Sequence, residues 1–107
     1  MGKKTEKKAE AAQATDINTC MVSGSVLRAK QTEKVCRFTL DCAQETQNGK
    51  VAHSYVPVVW FNADSEDTVS DGERINVKGS LRSGSYEKDG RKIYTLDLVA
   101  EEIIFSE

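Results

Sequence analysis

The chain has 107 residues, 38% hydrophobic and 30% charged, an ordinary globular balance with room for a single domain. No apolar run approaches the roughly 20 residues of a membrane-spanning helix. The N-terminal lysines are followed by no apolar stretch of the kind that marks a secretory signal. Net charge is −2, unevenly spread: residues 1–15 carry four lysines against two glutamates, and the remainder carries 11 Lys+Arg against 15 Asp+Glu. Asp64, Glu66, Asp67, Asp71 and Glu73 crowd into one segment. Global charge is therefore a poor guide to any local groove.

Residues 1–15, "MGKKTEKKAEAAQAT", have no large apolar side chain after Met1 and read as a flexible Lys/Ala-rich tail. The period then becomes strand-like. "INTCMVSGSVLR" is rich in β-branched and apolar residues, with Gly24 marking a bulge or bend. "VCRFTLDC" alternates, with Cys36, Phe38, Leu40 and Cys42 on one face and Val35, Arg37, Thr39 and Asp41 on the other. Asn48-Gly49 is a strong hairpin signal leading into residues 51–62. There "SYVPVVWFN" is apolar on both parities: Val56, Val58 and Trp60 on one, Tyr55, Pro57, Val59 and Phe61 on the other. Pro57 cannot donate to a ladder and implies an edge or a bulge.

"ADSEDTVSDG" holds one large apolar residue, Val69, and reads as a loop or short helix. "ERINVKGSLR" alternates again, placing Ile75, Val77, Gly79 and Leu81 opposite Arg74, Asn76, Lys78, Ser80 and Arg82. Asp89-Gly90 supplies the next hairpin turn. "RKIYTLDLVA" follows with Tyr94, Leu96 and Leu98 expected inward, and Ile103, Ile104 and Phe105 close the chain. The sum is all-β: five strands, two hairpins and a short connector between strands three and four. That connector position favours a five-stranded OB-fold barrel over residues 16–107, ahead of an SH3-like barrel or a small sandwich.

Cys20, Cys36 and Cys42 form no C-x-x-C pair and leave an odd thiol, which favours a reducing, cytoplasmic setting with the cysteines as small core residues. The single histidine, His53, has no partner at metal-ligand spacing, and no phosphate loop, dinucleotide fingerprint or Ser/His/Asp set is present. No enzyme, metal, cofactor or small-molecule substrate is expected. A binding role has more support. Tyr55, Val59 and Phe61 share one side of the third strand. Arg74, Lys78 and Arg82 face outward on the fourth, and Tyr86, Lys88, Arg91 and Lys92 gather near the hairpin. Aromatic rings interleaved with cations suit a sequence-tolerant single-strand binder, because every base has a π-face and every nucleotide a phosphate. The alternative is that a subunit interface or the connector covers Tyr55 and Phe61.

Taken in order, these segments resemble the bacterial single-stranded DNA-binding protein family. "GERINVKGSLRSGSYEKDGRKIYTLDLVAEEIIF" is similar to the family's fourth and fifth strands, "SYVPVVWFN" to its third and "NTCMVSGSVLR" to its first. The resemblance implies base-stacking roles for Tyr55, Phe61 and Tyr86. The first and third stand where the family usually has tryptophan. It also implies sequence-independent binding of single-stranded DNA in replication, recombination or repair, by a homo-oligomer, tetrameric or dimeric. Arg28, Lys30, Arg74, Lys78, Arg82 and Lys88 are the expected phosphate contacts. Where the family often has a further aromatic after the second strand, residues 43–47 offer Thr46, and Trp60 has the parity of a core residue. The chain stops at Glu107, so a short form is expected, without the acidic C-terminal tip that recruits partners in this family. A protein–protein module of the replication-restart type and an RNA-binding OB domain are the competing readings.

Overall fold

The computed structural model describes residues 16–63 and 66–106; the N-terminal tail expected over residues 1–15 lies outside them. Five strands follow in chain order: β1 (Cys20–Gln31), β2 (Val35–Glu45), β3 (Val51–Phe61), β4 (Arg74–Lys88) and β5 (Arg91–Phe105). They close into a barrel in the order β1-β2-β3-β5-β4. All neighbours are antiparallel except β3 and β5, which run parallel at Val58↔Leu98 and Val59↔Val99. This is the expected OB-fold barrel.

The alternating pattern explains the core. Val26, Phe38, Leu40, Val58, Ile75, Val77 and Leu98 are all buried, and each comes from the inward parity of its strand. Two glycines let the strands cross closely. A Cβ on Gly24 would run into the carbonyl oxygen of Asp41, and one on Gly79 into that of Val99. Gly24 thus marks a close crossing, while the β1–β2 register slips further on, between Leu27 and Lys30.

Both expected hairpins are present but differ in their turns. Asp89 and Gly90 have φ of 54° and 77°, a two-residue turn whose twist suits the strands it joins. The β2–β3 loop is longer. Gly49 N–H donates to the Thr46 carbonyl at 3.0 Å and Thr46 N–H to the Lys50 carbonyl at 2.7 Å, with Gly49 left-handed at φ 77°. Pro57 causes no bulge, because the β2–β3 register is unbroken from Val35↔Phe61 to Glu45↔Val51. Its strand has β5 as second neighbour only at Val58 and Val59, so Pro57 lies where that edge becomes free.

The connector from Asn62 to Glu73 contains no helix among the described residues. Val69 is buried and joins the core cluster. Asn62, also buried, exchanges two 3.0 Å hydrogen bonds with Gln31, tying the end of β3 to the end of β1. At the other end of β1, the Asn18 side chain exchanges two 2.8 Å bonds with the Leu81 backbone.

Two expectations fail, the inward placement of Tyr94 and Leu96 and the core placement of Cys42. Tyr94 and Leu96 share the parity of Leu98 but are 74% and 55% exposed. Their cross-strand partners are Ser85 and Ser83, in the part of the β4–β5 hairpin that has no other strand beside it. This arm projects past the barrel, so an inward parity meets no core there. Lys92 instead places its ammonium 5.7 Å from the Tyr94 ring centre. Of the three cysteines, Cys36 is buried, and Cys20 and Cys42 are partly exposed; Cys20 packs against the core but Cys42 is not among the residues that do.

Candidate nucleic-acid interface

The outer side of the barrel carries a groove of about 290 Å³ where β1, β2, β3 and β5 meet. Arg28, Lys30 and Arg37 line it together with Pro57, Val59 and Asp97. Val59 is only 6% exposed although its side chain is on the outward parity of β3. In register it lies between Arg37 on β2 and Val99 on β5, and Arg37 in turn pairs with Lys30. The result is an apolar floor with cations along one wall.

A bulge in β1 puts two of those cations there. Val26 points inward, so unbroken alternation would send residues 28 and 30 inward as well. Arg28 instead adopts φ 56°, the register gains one residue, and Ala29 takes the inward position. Arg28 and Lys30 are thereby turned to the outside. Asp71 Oδ1 accepts a 2.8 Å hydrogen bond from the Ala29 amide, which the bulge removes from the ladder. Part of the acidic connector therefore supports the groove. Glu73 has a similar local role, accepting from the Ser70 amide at 2.8 Å.

Exposed rings flank the groove along β3. Phe61 lies two residues beyond Val59, and Tyr55 two residues before Pro57; they are 64% and 60% exposed. Tyr55 stands opposite Asp41 on β2. The Asp41 carboxylate lies 2.8 Å from His53 Nδ1, and the His53 ring stacks on Tyr55. On the arm, Arg82 stands opposite Asp97, and Tyr86 and Lys88 continue on the same face of β4 at two-residue steps. Tyr86 is thus about 13 Å from Arg82 along the strand.

Seven of the nine residues singled out from sequence consequently surround or extend one groove: Arg28, Lys30, Tyr55, Phe61, Arg82, Tyr86 and Lys88. The other two lie around the barrel from it. Arg74 and Lys78 are opposite Ser25 and Met21 in the first half of β1, and Arg74 donates to Ser25 Oγ at 3.2 Å. Ser25 also pairs with Asp41, and Asp41 with Tyr55, so a single outward row runs Tyr55–Asp41–Ser25–Arg74. Arg37 and Asp97 were missing from the sequence-based set. Arg37 was legible as an outward cation on β2; nothing local marks Asp97, which the parallel β3–β5 contact brings to the groove.

Among the described residues, Arg28, Lys30 and Arg37 have no carboxylate within ion-pair distance. Unpaired cations beside a flat apolar floor, with exposed rings at both ends, can take phosphates and planar rings in alternation.

A TM-score of 0.72, at 18% identity over 88% of this chain and 98% of the other, relates the fold to a Plasmodium falciparum SSB solved in complex with ssDNA. Single-stranded DNA-binding protein 2 of Clostridium acetobutylicum is 32% identical over 77 residues, covering 67% of this chain and 58% of its own length. The single-stranded DNA-binding protein of Clostridium tetani is 35% identical over 66 residues, covering 58% of this chain and 46% of its own length. The chain thus spans about half the length of these relatives. The model of the single-strand binding protein family matches residues 17–106, all five strands and the connector. With the whole barrel inside that match, the chain belongs to the single-strand binding protein family.

Proposed function

We propose that residues 16–107 form one OB-fold domain that binds single-stranded DNA without strong sequence preference, in replication, recombination or repair. It acts by binding and is not an enzyme. The observation that carries this reading is the groove, with Arg28, Lys30 and Arg37 unpaired among the described residues and Val59 and Pro57 as its floor. Tyr55, Phe61 and Tyr86 stack bases, each contributing roughly 1–3 kcal/mol. Arg28, Lys30, Arg37, Arg82 and Lys88 hold the phosphates of a strand in the groove. Arg74 and Lys78 hold those of a strand that continues past Tyr55 around the barrel. No metal or cofactor is required by this mode of binding.

The protein works as a homo-oligomer, tetrameric or dimeric, in the cytoplasm. The exposed apolar side of the arm, with Leu81, Tyr94 and Leu96, supports self-association. Membership of a family with named single-stranded DNA-binding relatives supports the choice of ligand over an RNA-binding or purely protein-binding module.

The test is fluorescence polarisation of a labelled oligothymidylate at two salt concentrations, with unlabelled duplex and oligouridylate as competitors. Tight, salt-sensitive binding that neither competitor displaces is expected. Equal displacement by duplex would instead assign the aromatic face to a protein partner.

A further inference from the structure

The groove contains one group that a purely phosphate-binding surface would not need. Asp97 lines it together with Arg28, Lys30 and Arg37, and its carboxylate is not ion-paired among the described residues. The residue opposite it, Arg82, forms no ion pair with it. An anion in a cationic groove weakens attraction for phosphate. It is useful there only if it meets a hydrogen-bond donor.

The neighbouring residues indicate which donor. Asp97 directly precedes Leu98, which pairs with Val58, so its outward side chain flanks Pro57 across the β3–β5 contact. Pro57 and Val59 form the apolar floor, which suits the flat face of a base and not a phosphate. A carboxylate at the rim of that floor faces the edge of the base. Cytosine presents its exocyclic N4 amino group there, and a carboxylate accepts from it with a charge-assisted hydrogen bond. Uracil and thymine place O4 there instead, an acceptor that Asp97 repels, and their one donor on that edge, the ring N3–H, lies between two carbonyl oxygens that oppose the approach of a carboxylate.

We infer that Asp97 makes this groove a nucleobase subsite selective for a base bearing an exocyclic amino group, cytosine in preference to uracil or thymine. The inference rests on the single-strand reading above and refines it. Selectivity is confined to one subsite, so it appears as a modest bias along a strand and not as sequence-specific recognition.

The experiment compares oligodeoxycytidylate with oligodeoxyuridylate of equal length at about pH 8, where cytosine N3 is unprotonated. These ligands share ring size and lack the thymine methyl, so they differ at the edge that Asp97 faces. The wild-type protein is expected to bind the cytidylate about threefold to tenfold tighter, the range of one partly exposed charge-assisted hydrogen bond. Asp97→Ala should bind both equally, and should bind the uridylate tighter than wild type does. Asp97→Asn, which keeps the shape and offers both donor and acceptor, should also lose the preference and serves if the alanine variant fails to fold. Equal wild-type affinities would overturn the assignment. So would an unchanged ratio in the variants, because Asp97 would then act on both oligomers through charge alone. Failure of the wild type to bind either oligomer would overturn the single-strand reading itself.

Discussion

The imidazole of His53 stacks on the ring of Tyr55, with centroids 6.1 Å apart and planes only 12° from parallel. The two residues are i and i+2 on β3, so alternation puts them on one side of the strand. Asp41, opposite Tyr55, takes the other end of the arrangement by holding His53 Nδ1 at 2.8 Å. Tyr55 therefore has a neighbour that fixes its orientation, while more than half of its surface stays free for a ligand.

Replacing both Tyr55 and Phe61 by alanine is expected to weaken oligothymidylate binding by more than tenfold, since two stacking contacts of about 1–3 kcal/mol are lost. Circular dichroism should be unchanged because both side chains point out of the barrel. His53→Ala alone is expected to cost less, about twofold to fivefold, by freeing the Tyr55 ring without removing it. Titration by fluorescence polarisation reads both, with Tyr55→Ala alone as a third variant; equal losses for His53→Ala and Tyr55→Ala would make His53 a platform in its own right.

The separation of Arg74 and Lys78 from the groove leads to a length-dependent prediction. An oligomer of about five nucleotides occupies the groove alone, while one of about 30 must pass beyond it. The Arg74→Ala/Lys78→Ala pair should leave the short oligomer's affinity unchanged and weaken the long one several-fold. Arg37→Ala should weaken both and lower the slope of log K against log salt by about 0.7.

Gly79 and Gly84 lie on the same strand but differ in their surroundings. A methyl group at Gly79 meets the Val99 backbone, whereas at Gly84 the nearest atom is the Thr95 hydroxyl at 3.2 Å, a side-chain atom that can rotate away. Gly79→Ala is expected to destabilise the barrel by about 1–3 kcal/mol or more in urea unfolding. Gly84→Ala should change stability by no more than about 0.5 kcal/mol, as expected for an exposed arm position.

Burial pushes the Cys36 thiol above its ordinary value, partly opposed by a hydrogen bond with the Val69 backbone. The folded state therefore holds that proton more tightly than the unfolded chain. Its contribution is fully present below the unfolded value of about 8.5 and is lost as pH rises through the folded value. Urea stability should decline above about pH 8.5, and Cys36→Ala should flatten that decline. Under native conditions a thiol reagent should label Cys20 and Cys42, with Cys36 reacting only on unfolding.

Much of this protein follows from local pattern. Period-two alternation in β2 and the first half of β4 assigns the core, because one face of each strand must be buried. Asp89-Gly90 dictates a turn because both residues must adopt positive φ. The outward aromatics on β3 follow from the same alternation. Alternation says nothing about whether an inward face meets another strand, and this is why Tyr94 and Leu96 were expected in the core yet lie exposed on the arm.

Two features belong to the tertiary structure alone. Asp97 reaches the groove only through the parallel β3–β5 pairing, a contact between residues some 40 positions apart with no local signature. The Gln31–Asn62 amide pair depends likewise on the two strand ends converging as the barrel closes. The bulge at Arg28 stands between the two cases. Two cations at the parity of buried Val26 are a sign in the sequence that alternation must break there. Yet the Asp71 side chain that accepts the freed Ala29 amide comes from 42 residues away. Strand identity is set by neighbours along the chain, and the groove by neighbours across the barrel.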